Sequence, residues 1–251
     1  MKDHLVNYLL HLADNSLILA QRNSEWCGHG PVLEQDIAIT NISLDLIGQS
    51  RNLYQYAATI IGGETTEDTL AYLRTEREYK NLLLVEQPNG DWAATTLRQF
   101  FFSAYQYLLY EQLQNSADAQ IAAIAEKALK EVTYHLRWSS EWIIRLGDGT
   151  EESKDRMQNG INELWRFTGE IFIPASYESD AATNSYGTDV TLLKNQWLQK
   201  IKDVFDEATL TMPNENTYMQ RGGKTGTHTE HLGYILAEMQ YLQRTYPGCE
   251  W

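Results

Sequence analysis

The sequence predicts an all-α protein with a four-helix core and additional helices. Apolar residues recur at steps of three and four over long stretches, the period of one helix face, and strand-like alternation is nearly absent. Only five Pro and 16 Gly in 251 residues leave these stretches largely uninterrupted. The connections between the longest stretches are short, so neighbours should fold back as antiparallel hairpins. With 43% hydrophobic residues the chain can build one large domain, expected to span 1–251.

The first helix is expected over 3–23, with Leu5, Leu9, Leu12, Ser16, Leu19 and Ala20 on its buried side. Asp14 and Asn15 sit in the middle of this apolar run. They either face solvent or a hydrogen-bonding neighbour, or point into a bundle. The stretch SEWCGHGP is a tight connection. Gly30-Pro31 fits a helix start, because Pro loses nothing at the first turn, and the second helix should run over 31–61. Asn41, Asp45, Gly48, Gln49 and Arg51 interrupt its apolar face. Gly48 costs about 1 kcal/mol relative to Ala in a helix. Close helix packing explains it, and so does a position that once held a larger residue.

Gly62-Gly63 ends that helix, and a shorter element follows over 66–85 with Glu67 and Asp68 in its first turn. After the turn EQPNGD, an aromatic helix spans 91–115. The central helix spans 117–146 and contains no Gly and no Pro. Its apolar face carries Ile121, Ile124, Ala128, Val132, His135, Leu136, Ser139, Trp142 and Ile143. Gly147-Asp148-Gly149 ends it, and Thr150 caps a helix expected to reach 172. Residues 173–190 read as irregular surface, 192–208 as a helix and 209–226 as a loop with a short extended piece. The last helix is expected over 228–246, opened by a capping box at Thr227 and Glu230.

The net charge of -14 argues against binding a nucleic-acid backbone. Two cysteines without metal-ligand spacing fit a reducing compartment. The N-terminal stretch is too polar for a signal peptide or a membrane span. A soluble, cytoplasmic protein is expected.

Folding the first two long helices about their turn brings Asp14 and Asp45 to similar heights. Folding the next two about 115–117 sets Glu131 level with 102–105. Asp14, Asp45, Glu131 and His135 would then share one layer of a four-helix core, where carboxylate-bridged di-iron proteins place one Glu on each of two helices and Glu-x-x-His on each of the others. The pattern here is degenerate. Three residues after Asp45 stands Gly48, not His; three after Glu131 stands Tyr134, with His135 one place late. The facing aromatic helix offers Ser103 or Tyr105 and no carboxylate at mid-height. These residues are too few in nitrogen ligands for a standard di-iron site, so no metal, cofactor or catalytic residue is expected in this chain. The cluster His228-Thr229-Glu230-His231 looks metal-like but is accounted for by a helix start, with Glu230 in the capping box. Gly222-Gly223-Lys224-Thr225 lacks the first glycine of a phosphate loop, since Tyr218 stands there.

Long strings carry a resemblance over essentially the whole chain: DNSLILAQRNSEWCGHGPVLEQDIAITNISLDLIGQSRN, NLLLVEQPNGDW, KEVTYHLRWS, RLGDGTEES, LWRFTGE and GGKTGTHTEHLGYILAEMQYLQR. They resemble the C subunits of bacterial phenylacetyl-CoA epoxidases, the ring 1,2-phenylacetyl-CoA monooxygenases. The resemblance implies a ferritin-like fold and a structural, non-catalytic role in aerobic phenylacetate degradation. It implies a complex with a homologous catalytic subunit that carries the di-iron centre, and with further subunits; alone, the chain could form a homodimer. The rival reading is an oxygenase with its own atypical site at Asp45, Glu131 and His135; a third is a stand-alone ferritin-like binding protein. A scaffold acts through its surface, and 173–190 and 211–226, with the cationic Arg221 and Lys224, are the expected recognition segments.

Overall fold

The structure is a computed structural model that describes residues 2–214 and 216–249. It is all-α: among the described residues there are eleven α-helices, several 3-10 turns and no strand. No helix of the described residues is long and apolar enough to cross a membrane. The chain divides into two compact units, one of residues up to 88 and from 222 onward, the other of 89–221.

The first unit is built on a hairpin of α1 (Lys2–Ser24) and α2 (Leu33–Ile61). Every residue of α1 from Tyr8 to Ala20 is buried, so the helix is enclosed on all sides at its centre. Four polar residues, His11, Asp14, Asn15 and Ser16, are buried with it. The start of α2 falls at Leu33, beyond Pro31, with Val32 in extended geometry before it. Gly30 is pinned by its N–H, which donates to Asp36 at 2.9 Å.

Residues 66–85 are not one helix. Thr66 caps α3 (Glu67–Tyr72) through the Thr69 N–H, a 3-10 turn covers Glu76–Glu78, and α4 (Leu83–Glu86) closes the stretch. Thr75 breaks the helical pattern: its N–H and hydroxyl both donate to Glu78, at 2.7 Å each. At the other end of the chain the expected helix is two, α10 (Glu230–Met239) and α11 (Tyr241–Thr245). They part at Gln240, whose amide reaches across to the carbonyls of Ala71 and Arg74.

The second unit is built on a hairpin of α5 (Trp92–Leu113) and α6 (Ala119–Gly147). Asp91 caps α5 through the Ala94 N–H, and Asp118 caps α6 through Gln120 and Ile121. The buried face of α6 holds Ile121, Ile124, Ala128, Val132, His135, Ser139 and Ile143, as the periodicity predicts; Leu136 and Trp142, expected there too, are half-buried, and Trp138 is buried in addition. Both indoles meet Trp92 edge-on. Thr150 caps α7 (Glu151–Leu164), which gives way to 3-10 turns before Phe172.

The stretch 173–190 is neither irregular nor wholly superficial. It contains α8 (Ser176–Thr183), whose Tyr177, Glu178 and Ala181 are buried. The Glu178 carboxylate accepts from the Ala175 N–H and starts the helix. The Ser185 and Tyr186 carbonyls accept from Ala117 and Ser116, tying this segment to the α5–α6 turn. Packed behind lies α9 (Lys194–Glu207), from which Trp197 inserts among Phe101, Trp165 and Phe172. Its indole N–H donates to the Phe101 carbonyl at 2.9 Å.

Candidate functional site

Asp14 and Asp45 lie in the first unit, Glu131 and His135 in the second. Asp14 is fully buried; Asp45 is half-buried on α2. Gly48 presents no side chain, and a Cβ built there would meet no atom within 4 Å, so close helix packing is not the reason for this glycine. On α6 Glu131 is half-buried, His135 fully buried and Tyr134 exposed, its ring lying under the Arg137 guanidinium. One residue of register separates the two: His135 is on the buried stripe and Tyr134 is off it. Ser103 and Tyr105 are buried on α5, and Ser103 accepts from the Gln99 amide. Among the described residues no group of three or more His, Cys, Asp or Glu side chains is placed to hold one metal ion.

Arg51 and Asn41 lie at the surface, where Arg51 reaches Glu67 at 3.5 Å. The packed polar network of the first unit centres on Asp14. Its carboxylate receives both terminal nitrogens of Arg74, the Tyr54 hydroxyl at 2.5 Å and the Lys80 N–H at 2.7 Å. Arg74 also donates to the Leu70 and Glu78 carbonyls and lies over the Tyr79 ring. Burial, then the charge of Asp14, hold the Tyr54 phenol well above its ordinary range, so it remains a donor.

Asp14 works together with its neighbours on α1. Residues 79–82 run extended without a strand partner, and α1 side chains take the partner's place. Lys80 donates to Asp14, Leu82 donates to the Asn15 amide oxygen at 2.8 Å, and His11 Nδ1 meets the Lys80 carbonyl at 2.7 Å. Buried backbone groups need such partners. The polar residues at the centre of α1 are therefore a structural rail for this segment.

Glu86 is a second buried centre. Its Oε1 accepts from the N–H and hydroxyl of Thr229, at 2.7 Å each, and its Oε2 from Asn81 at 2.8 Å. His228 Nδ1 faces the same Oε2 at 2.8 Å. The capping box expected at Thr227 and Glu230 is absent: Thr229 precedes the helix, without capping it, and turns its hydroxyl to Glu86. The His228 ring lies between Glu86 and the Tyr79 carbonyl, with its side chain fully buried. Sequence reasoning missed Glu86, Arg74 and Tyr54; the one available signal was a lone carboxylate closing the apolar run LLLV. Lys224 is buried and thus no part of an exposed basic patch, while Arg221 is exposed. Glu215, within the loop expected to carry recognition, lies outside the described residues.

Comparison with known proteins places these features in a family. The chain is 50% identical over 249 residues to the C subunit of the 1,2-phenylacetyl-CoA epoxidase of Escherichia coli, an alignment covering 99% of this chain and 100% of that one. A family model described as "Phenylacetic acid catabolic protein" matches residues 1–251. The chain belongs to this family of phenylacetic acid catabolic proteins.

Proposed function

We propose that the chain is the structural, non-catalytic subunit of a multicomponent phenylacetyl-CoA epoxidase, active in the cytoplasm in aerobic phenylacetate degradation. It holds a homologous catalytic subunit, which carries the di-iron centre, in a hetero-oligomeric complex. The observation that carries the reading is the pair Gly48 and Tyr134. At the two places where a di-iron protein of this architecture needs imidazoles, one residue has no donor atom and the other turns its phenol to solvent. The remaining residues do not fit a two-iron centre, and no chemical step is assigned to them. The subunit reading also draws support from α2. Leu33, Ile37 and Leu44, spaced four and seven apart on one helix face, are 71%, 50% and 61% exposed. Apolar residues gathered on one exposed face mark interaction surfaces.

Co-expression with the catalytic subunit tests the proposal. The complex should carry iron and epoxidise phenylacetyl-CoA, the purified chain alone should hold substoichiometric iron, and the catalytic subunit alone should lose solubility or activity. Two irons per chain in the isolated protein would favour an oxygenase site at Asp45, Glu131 and His135. Full activity of the catalytic subunit by itself would remove the scaffold role.

A further inference from the structure

We propose that the segment around 222–232 is a strap docked on a buried, proton-dependent latch between His228 and Glu86, and that the strap is loosened as the medium turns alkaline. The His228 side chain is wholly inaccessible, as is that of Glu86. Its Nδ1 lies 2.8 Å from Glu86 Oε2 and its Nε2 lies 3.0 Å from the Tyr79 carbonyl oxygen. A carbonyl only accepts, and an ionised carboxylate only accepts. A neutral imidazole has one N–H, so beside an ionised Glu86 one of its nitrogens would turn a lone pair on an acceptor, in a place no water reaches. The site is satisfied when it holds one more proton. Whether that proton rests on Nδ1 or on Oε2, its removal leaves two acceptors face to face. The same carboxylate accepts three other hydrogen bonds, one of them from a backbone N–H.

The charges around the latch act in both directions. Burial works against the imidazolium. The hydrogen bond and charge of Glu86, the Tyr79 carbonyl and the more distant Asp14 outweigh it, and the His228 pKa is raised above its ordinary 6.5. Arg22 of α1 donates to the Glu86 carbonyl at 3.1 and 3.0 Å, and Arg74 lies over the Tyr79 ring, so two cations flank the site and are themselves partnered. A group whose folded pKa is raised gives its full stabilisation below the unfolded value and loses it as pH climbs through the folded value. The strap is therefore held on the acid side and loosened on the alkaline side.

Beside His228, Thr229 docks on the same carboxylate through its N–H and hydroxyl, at 2.7 Å each. Gly226, at φ +81°, passes against the Arg77 carbonyl, a close approach that leaves no room for a side chain. Farther along, Gln240 ties the end of α10 to the Ala71 and Arg74 carbonyls by contacts that do not titrate. Opening should thus be confined to the portion around 222–232.

Hydrogen exchange of the full chain, corrected for the intrinsic effect of pH, tests the latch. From about pH 6.5, the ordinary value of a free imidazole, up to the folded value of His228, protection of the Thr229 amide and its neighbours should fall about tenfold per pH unit, the slope of one proton, and then level off. Protection in α5 and α6 should not change. In His228→Gln the same amides should be poorly protected throughout and show no such slope. Nitrogen NMR of the unaltered protein needs no variant: the His228 ring should hold a proton on both nitrogens on the acid side and lose one of them above the ordinary 6.5. A His228 ring that titrates below 6.5, or Thr229 protection unchanged into the alkaline range, would overturn the proposal.

Discussion

Asp14 and Arg74 form a buried two-point ion pair across 60 residues of sequence, the carboxylate fully inaccessible and the guanidinium nearly so. Removing one side of such a pair strands the other charge. Asp14→Ala is expected to destabilise the protein by about 3–5 kcal/mol. The loss comes from the orphaned guanidinium together with the Lys80 N–H and the Tyr54 hydroxyl. Urea denaturation measures it; a change under about 1 kcal/mol would mean that water or another group replaces the carboxylate.

Gly48 and Gly147 should respond oppositely to one added methyl. At Gly48 the methyl meets open space in the middle of α2, so Gly48→Ala should stabilise by about 0.5–1 kcal/mol. At Gly147 it would stand 2.5 Å from the Ala208 carbonyl oxygen, so Gly147→Ala should destabilise. Thermal unfolding of the two variants side by side reads both signs.

Trp197 fills the aromatic cluster of the second unit at 1% exposure. Trp197→Ala should cost about 3–5 kcal/mol through the cavity it leaves. Trp197→Phe keeps most of the packing but leaves the Phe101 carbonyl without its indole donor, and about 1 kcal/mol is expected. If the two variants cost the same, the hydrogen bond and not the packing dominates.

Acid should loosen the turn at Thr75. Hydrogen bonds from the Thr75 side chain and backbone lower the Glu78 pKa from 4.5. A depressed carboxylate stabilises above its unfolded value and ceases to as pH falls through its folded value. Exchange of the Thr75 amide should therefore accelerate below about pH 4.5, and Thr75→Val should weaken that dependence.

The long helices were legible in the sequence because their information is local. The buried stripe of α6 follows from periodicity, and Asp91 and Thr150 stand at the starts of α5 and α7. The break at Thr75 was not legible, because what replaces helical hydrogen bonds over 79–82 comes from His11, Asp14 and Asn15, more than 60 residues away. The two parts of the last helix had the same problem at Gln240, whose acceptors lie on α3 and just beyond it. The missing α8 had a local sign, Glu178 three residues after Ala175, that was hidden among polar residues. That Gly48 and Tyr134, and not His, stand three residues after Asp45 and Glu131 is read from spacing alone. That Asp14 serves Arg74, and that His228 serves Glu86 across 142 residues, required the fold.

The division of the chain has a consequence for synthesis. The second unit is a continuous run, 89–221, whereas the first joins the opening stretch to residues from 222 onward. On a ribosome the second unit has all its sequence while the α1–α2 hairpin still waits for the histidine and glutamine that clasp the segment after α3. The part translated first should therefore be the last to become resistant to protease, and nascent chains stalled just before and well after residue 228 would reveal the order.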